Sequence, residues 1–431
     1  MAPQSARLSI GLKMSIITLF DKSFVQSLTV DESVWFERFF YPVVCPIFYV
    51  ETLADLSKKA RGDRTAEAEV RIIADKFPET SGSPCADHFR MAALNIVGVF
   101  QLPMDGRIPR SGGRSVSGGN RVGVVFDEAP EVAAFRRWKS QEFYEVERQF
   151  AAGWRAALNA TDLTQIGAAL RASGLNARSC KTLAEAKRLT DGLIQAADKA
   201  FDRLHFAVEF FGIGPQHHKR VIESWELAGK PPLHEYAPYA AFVLTVEVFF
   251  HVALAAGLIS ADRPSNRTDI AYLFYLPFCT AFISTDRLHM RTAPLFLRTD
   301  QEFVWGNDLK ADLGRLDTHY KTTLSEADRE RGLIGQISSP PSEGGYLVTE
   351  LWKRHLGRKA LDDRNVVEGM SAEARAKLFE ELTAFTTGSP LEACKELGDD
   401  DIETVSVERR VAKRKGSWWL LPKDLQNQAA S

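Results

Sequence analysis

Two carboxylates, Asp269 and Asp286, bracket a strongly apolar run, Asp269-Ile-Ala-Tyr-Leu-Phe-Tyr-Leu-Pro-Phe-Cys-Thr-Ala-Phe-Ile-Ser-Thr-Asp286. Near the other end of the chain, Ser15-Ile-Ile-Thr-Leu-Phe20 runs straight into Asp21, with Ser23 two residues on. A third segment, Tyr41 to Leu56, carries Glu51 and Asp55. Clustered carboxylates repel one another, and burying them unpaired is costly. A divalent cation resolves that conflict. Bound magnesium lowers the pKa of a coordinated water, orients it, and neutralises charge on a phosphodiester in the transition state. Such chemistry is hydrolysis by activated water and requires no covalent nucleophile.

The flanking patterns say how these acids are held. Ser15–Phe20 reads as a buried strand with Asp21 at its end, and Val43–Cys45 as a short second strand. A helix starting near Pro46 carries Glu51, with Asp55 one turn later on the same face. Ile270–Leu276 fits a buried helix ended by Pro277. Asp269 opens it, in a position that Thr268 also suits as a cap. Thr280–Thr285 is β-branched and aromatic enough for a core strand, which puts Asp286 at its C-terminal end. Open α/β sheets present their ligands there.

A strand-end Asp21, a helix Glu51, a helix-start Asp269 and a strand-end Asp286 resemble, in this order and setting, the PIN-domain nucleases. The likeness covers about residues 15–60 and 265–300, and Ser284-Thr285-Asp286 matches the hydroxyl-then-acid ending of the family's last core strand. It implies an α/β fold with a PIN-like parallel-sheet core, here split by a large helical insertion of roughly 190 residues, itself the size of a domain. It also implies an acidic pocket holding Mg2+ or Mn2+ on Asp21, Asp269 and Asp286, with Glu51 binding through water or positioning the attacking water. Ser23 and Thr285 are then supporting hydroxyls. The expected activity is endonucleolytic cleavage, of RNA before DNA, leaving 5′-phosphate and 3′-hydroxyl ends. Such enzymes often serve as toxins or in defence, which leaves room for an inhibitory partner protein and a homo-oligomer. The plainer account of the four acids is helix capping and strand-end turns. Two other readings stay open: a silent PIN-like scaffold for nucleic acid or protein, and an enzyme for a small phosphorylated substrate.

The 431 residues suffice for two or three domains, and 45% hydrophobic with 26% charged is ordinary globular composition. Net charge is −2, so a nucleic-acid ligand would need local positive patches. Five scattered cysteines without CxxC spacing favour reduced thiols and a cytoplasmic setting. The most membrane-like stretch, Tyr239–Ile259, carries Glu247 and His251 and is expected to be a buried helix. No Walker loop, GxSxG, HExxH or dinucleotide GxGxxG is present.

The chain divides into a disordered extension (1–14, with Met14 as an alternative start), a first core half (15–80), a helical insertion (81–262), a second core half (263–300) and a helical, loop-rich C-terminal region (301–431). Phe135, Trp138, Phe143, Val146, Phe150 and Trp154 form a helical stripe. Thr182-Leu-Ala-Glu185 opens a long helix that buries Leu189 through Ala197 and Phe201 to Phe211. Within the insertion, a glycine-rich loop with Arg107, Arg110, Arg114 and Arg121 could clamp a nucleic-acid backbone, or be an exposed loop. At the end of the chain, Arg410, Lys413, Arg414 and Lys415 with Trp418 combine cations and stacking surfaces, unless the tryptophans anchor the tail. Glu247 needs a partner, either an arginine or the acidic pocket. Asn266 and Arg267 could touch a phosphate or build the turn. Asp55 is expected to be solvated.

Overall fold

The computed structural model describes residues 15–58, 64–98, 101–118, 121–172, 180–362, 373, 389–390, 404–407 and 409–424. The expectations for residues 1–14 and Cys394 lie outside these. At the centre is a five-stranded, fully parallel sheet. In spatial order its strands are Ser83–Pro84, Phe40–Val44, Ile16–Phe20, Ala281–Ser284 and Glu302–Trp305. The middle strand, Ile-Ile-Thr-Leu-Phe, is almost wholly buried, as β-branched and aromatic residues with neighbours on both edges allow. Strands from residues 16–84 therefore pair directly with strands from residues 281–305. The edge strand Glu302–Trp305 belongs to this sheet, so the core extends into what the sequence marked as a helical C-terminal region.

Chain order along the sheet reverses at the join between Ile16–Phe20 and Ala281–Ser284. At such a point the loops leaving the two strands diverge to opposite sides and open a crevice at their C-terminal ends. Phe20 is fixed there by edge-to-face contacts with Phe36 and Phe48, at centroid distances of 5.7 and 4.9 Å. Each such pair contributes about 0.5–1.5 kcal/mol beyond its burial.

Among the described residues between the two sets of strands, the chain is mostly helical, with one hairpin. Arg114–Gly118 and Arg121–Phe126 pair antiparallel and are joined by Ser389–Pro390 and Thr404–Val407 in a second sheet. Pro238–Ala255 is long and apolar enough to cross a membrane, but 78% of it is buried inside the protein, as expected of a core helix. The single long helix expected after Thr182 is two, Leu183–Gln195 and Ala200–Phe210, broken by a 3-10 turn at Ala197–Lys199. The break rotates the second helix, so Ala197 and Phe201 are exposed and not buried. The aromatic stripe is likewise split: Phe135 and Trp138 are buried, whereas Val146 and Phe150 on Glu145–Ala160 face outward.

Candidate acidic site at the sheet reversal

Asp21 follows the middle strand and caps the Lys22–Ser27 helix, its Oδ1 accepting the Phe24 N–H at 3.0 Å. Its Oδ2 accepts from Ser284 Oγ at 2.9 Å and from the Ser23 hydroxyl. Ser23 in turn meets Thr285 Oγ1 at 2.6 Å, so both expected supporting hydroxyls reach the site. Gly306 makes room for this contact: a Cβ there would lie 2.7 Å from Thr285 Cγ2.

Asp286 ends the Ala281–Ser284 strand and caps the Arg287–Thr292 helix, with Oδ1 accepting the Leu288 N–H at 2.5 Å. Glu51 lies on the Pro46–Leu53 helix, and Tyr272 Oη donates to its Oε2 at 2.5 Å. Asp269 is not a cap. The Asn266–Ala271 helix starts one turn earlier, after Ser265, so Asp269 stands in its first turn with Oδ2 buried and unpartnered. The helix continues as a buried 3-10 turn, Tyr272–Phe278, that absorbs Pro277.

Burial pushes the Asp269 carboxyl up to about 7 against the opposing charge of His289, and the negative charges of Glu51, Asp286 and Asp21 add to the rise. The other three acids thus all bear on Asp269. Glu51 is also raised, chiefly by burial, with Lys22 and the Tyr272 hydroxyl opposing. Among the described residues, none of the four carboxylates pairs with a lysine or arginine. Lys22 donates to the backbone oxygen of Glu51 and pairs with Asp55 at 2.6 Å. Asp55 is correspondingly buried between Lys22 and Lys58, and not solvated as expected.

His289 was not singled out by the sequence, yet it is fully buried in the middle of this set. Its Nδ1 lies 2.8 Å from Ser284 Oγ and 3.6 Å from Asp21 Oδ2, and its Nε2 donates to the Asp269 backbone oxygen at 2.6 Å. Ser284 Oγ gives its proton to Asp21, so it accepts from Nδ1, and both ring nitrogens carry protons. Burial disfavours that imidazolium, but Asp21 and then Asp269 outweigh it and hold its pKa at about 9. The one sequence signal was spacing: an Asp286 cap turns residue 289 to the inner face of the next helix. Tyr272 was hidden in the apolar run for a similar reason, because its ring is core and only its hydroxyl is functional.

The donor set suits a hard divalent cation in chemistry, being carboxylate oxygens with one buried and unpartnered. Among the described residues no group of three or more His, Cys, Asp or Glu is gathered in a geometry that could hold a metal ion. His289 supplies a counter-charge to Asp21 at 3.6 Å.

The other candidates do not join the site. Glu247 pairs with Arg267, whose guanidinium also lies over Phe250, and Asn266 Nδ2 donates to Ser260 O to build the turn. Arg107 pairs with Asp105, Arg114 with Asp127, and Arg110 covers the Phe126 ring 4.3 Å from its centroid. The Arg121 side chain lies outside the described residues. In the tail, Lys415 is buried against Glu37 at 2.9 Å and Trp418 is buried with Nε1 donating to Asp317 Oδ1, so neither offers a nucleic-acid surface. Arg414 lies over Trp419, and Lys413 accepts the Leu420 N–H on its backbone oxygen. Arg410 is exposed. No protein-family model, curated protein or solved structure matches this chain.

Proposed function

We propose that the chain is a PIN-like, divalent-metal-dependent nuclease that hydrolyses phosphodiester bonds, of RNA before DNA, at Asp21, Glu51, Asp269 and Asp286. One observation carries this reading. Asp21, Glu51, Asp269 and Asp286 come from four separate elements around the reversal of a parallel sheet, Asp269 Oδ2 is buried without a partner, and among the described residues none of the four is ion-paired with a lysine or arginine. Mg2+ or Mn2+, held by Asp21, Asp269 and Asp286, would supply an activated water and offset charge on the scissile phosphate. Glu51, kept in place by Tyr272, would orient that water through its carboxylate. Ser23, itself held by Thr285, and Ser284 fix Asp21 through its Oδ2. His289 holds the Asp269 backbone and Asp21 at a set separation.

A second reading, a catalytically silent scaffold, is favoured by His289 itself: its charge already balances Asp21, and no metal-ready set stands among the described residues. Incubating labelled single-stranded RNA with the protein in Mg2+ or Mn2+ separates the two. The nuclease reading requires cleavage that disappears with Asp286→Asn and with chelator, and a Mn2+-induced rise in Tm that Asp269→Asn removes. RNA binding with neither cleavage nor metal-induced stabilisation leaves the scaffold.

A further inference from the structure

The cations that the sequence offered for nucleic acid are mostly engaged elsewhere, whereas two arginines beside the acidic site are open. The Arg287–Thr292 helix starts at Asp286 and turns His289 and Thr292 fully inward. Its outer face therefore presents Arg287 and, one turn on, Arg291, with Met290 between them; all three are exposed. Arg287 has no hydrogen-bond or ion-pair partner among the described residues. Arg291 only reaches the Leu258 backbone oxygen, at 3.4 Å. No acid lies between Asp286 and Asp300, and Asp300 is paired with Arg298 at 2.9 Å. Two guanidiniums four residues apart on one helix face, directly following a site acid, form a cationic edge to a carboxylate pocket.

That juxtaposition matters electrostatically. A pocket rich in carboxylates repels a polyanion, so a phosphodiester substrate needs positive charge at the mouth to hold its backbone. Phosphate contacts of this kind position a strand without reading its sequence. We propose that Arg287 and Arg291 grip the backbone phosphates of a single-stranded nucleic acid next to the acidic site. This rests on the nuclease reading for its meaning, but it concerns binding and can be tested without turnover.

The test measures binding of fluorescein-labelled single-stranded RNA by anisotropy, in chelator, across a salt series. Each phosphate contact contributes about 0.7 to the slope of log affinity against log salt for a single strand. The double variant Arg287→Gln/Arg291→Gln should therefore have a slope shallower by about 1.4. Equivalently, wild-type affinity should fall about sevenfold further than the variant's between 50 and 200 mM salt. Arg107→Gln/Arg114→Gln, which removes the same charge from the glycine-rich loop, should bind as wild type. An unchanged slope for the first pair, or no RNA binding by wild type, overturns the proposal. Normal cleavage by the first pair would also overturn it while leaving the nuclease reading intact. Binding with the expected slopes but no cleavage in Mg2+ or Mn2+ would do the reverse.

Discussion

His289 Nδ1 lies 3.6 Å from Asp21 Oδ2, and the buried hydroxyl of Ser284 is hydrogen-bonded to both. A buried imidazolium thus stands where an acidic pocket would otherwise need an external cation. It ties the end of one central strand to the helix that follows its neighbour, across the reversal of the sheet. It also holds the backbone of the Asp269 helix, through the Asp269 carbonyl oxygen.

Replacing His289 should be costly in a pH-dependent way. Its pKa is raised from 6.5 to about 9, so its charged form stabilises the fold fully below about 6.5, and that contribution is lost as pH rises through about 9. His289→Gln should destabilise the protein by about 3–5 kcal/mol near pH 6, because Asp21 loses its counter-charge. The gap to wild type should narrow by about 3 kcal/mol toward pH 10. Denaturant unfolding of both proteins over that range checks this; a gap that stays constant with pH would refute it.

Asp269 predicts the opposite sign. Its folded pKa, about 7 against 3.8, means that the penalty for ionising it is absent below about 3.8 and complete above about 7. Asp269→Asn removes a penalty of about 4 kcal/mol at neutral pH and retains a buried amide costing about 1–3 kcal/mol. The variant should be more stable than wild type at pH 8, and less so as pH is lowered to 4. Melting curves without metal decide it, and equal Tm values at pH 8 would show that the carboxyl is not strained. Under the nuclease reading the same variant loses cleavage, a gain in stability set against a loss of function.

These two residues also mark how far the sequence could be read. Asp21 and Asp286 were legible because an apolar strand running straight into an acid needs no tertiary information. Glu51 was legible through its helix and the proline that starts it. Asp269 was read as opening its helix, which in fact begins one turn sooner, after Ser265. His289 and Tyr272 were missed because their roles depend on which face of a short element turns inward. The partners that several cations of the arginine loop and the basic tail find were hidden for a related reason. A guanidinium written among glycines looks free, but Arg107 pairs with Asp105 two residues before it, and Phe126 and Asp127 reach Arg110 and Arg114 only once the hairpin closes. Val146 and Phe150 show the converse: a helical stripe reveals an amphipathic face and not whether anything covers it.

Tyr272 supplies the hydroxyl that Glu51 Oε2 accepts. Tyr272→Phe keeps the ring in the core and leaves a buried carboxylate oxygen short of a donor. The expected loss is about 1–3 kcal/mol in unfolding free energy. If Glu51 orients the attacking water, cleavage should fall while RNA affinity in chelator is unchanged. A variant that cleaves normally would remove Glu51 from the catalytic set.

The tail is a structural strap, and its variants should behave accordingly. Lys415 reaches Glu37 at 2.9 Å and the Phe77 backbone oxygen, while Glu37 also accepts the Glu79 and Thr80 N–H groups. Trp418 packs edge-on against Trp35, and both indoles donate to Asp317 Oδ1. Lys415→Met leaves Glu37 as a buried charge without its cation and should cost about 3–5 kcal/mol. Trp418→Ala empties a core position and should cost about the same. Because both side chains are enclosed, the salt slope of RNA binding measured on the folded variants at low temperature should match wild type. A slope shallower by about 0.7 for Lys415→Met would instead place that lysine on the nucleic acid. The burial against Glu37 could not then describe the bound state.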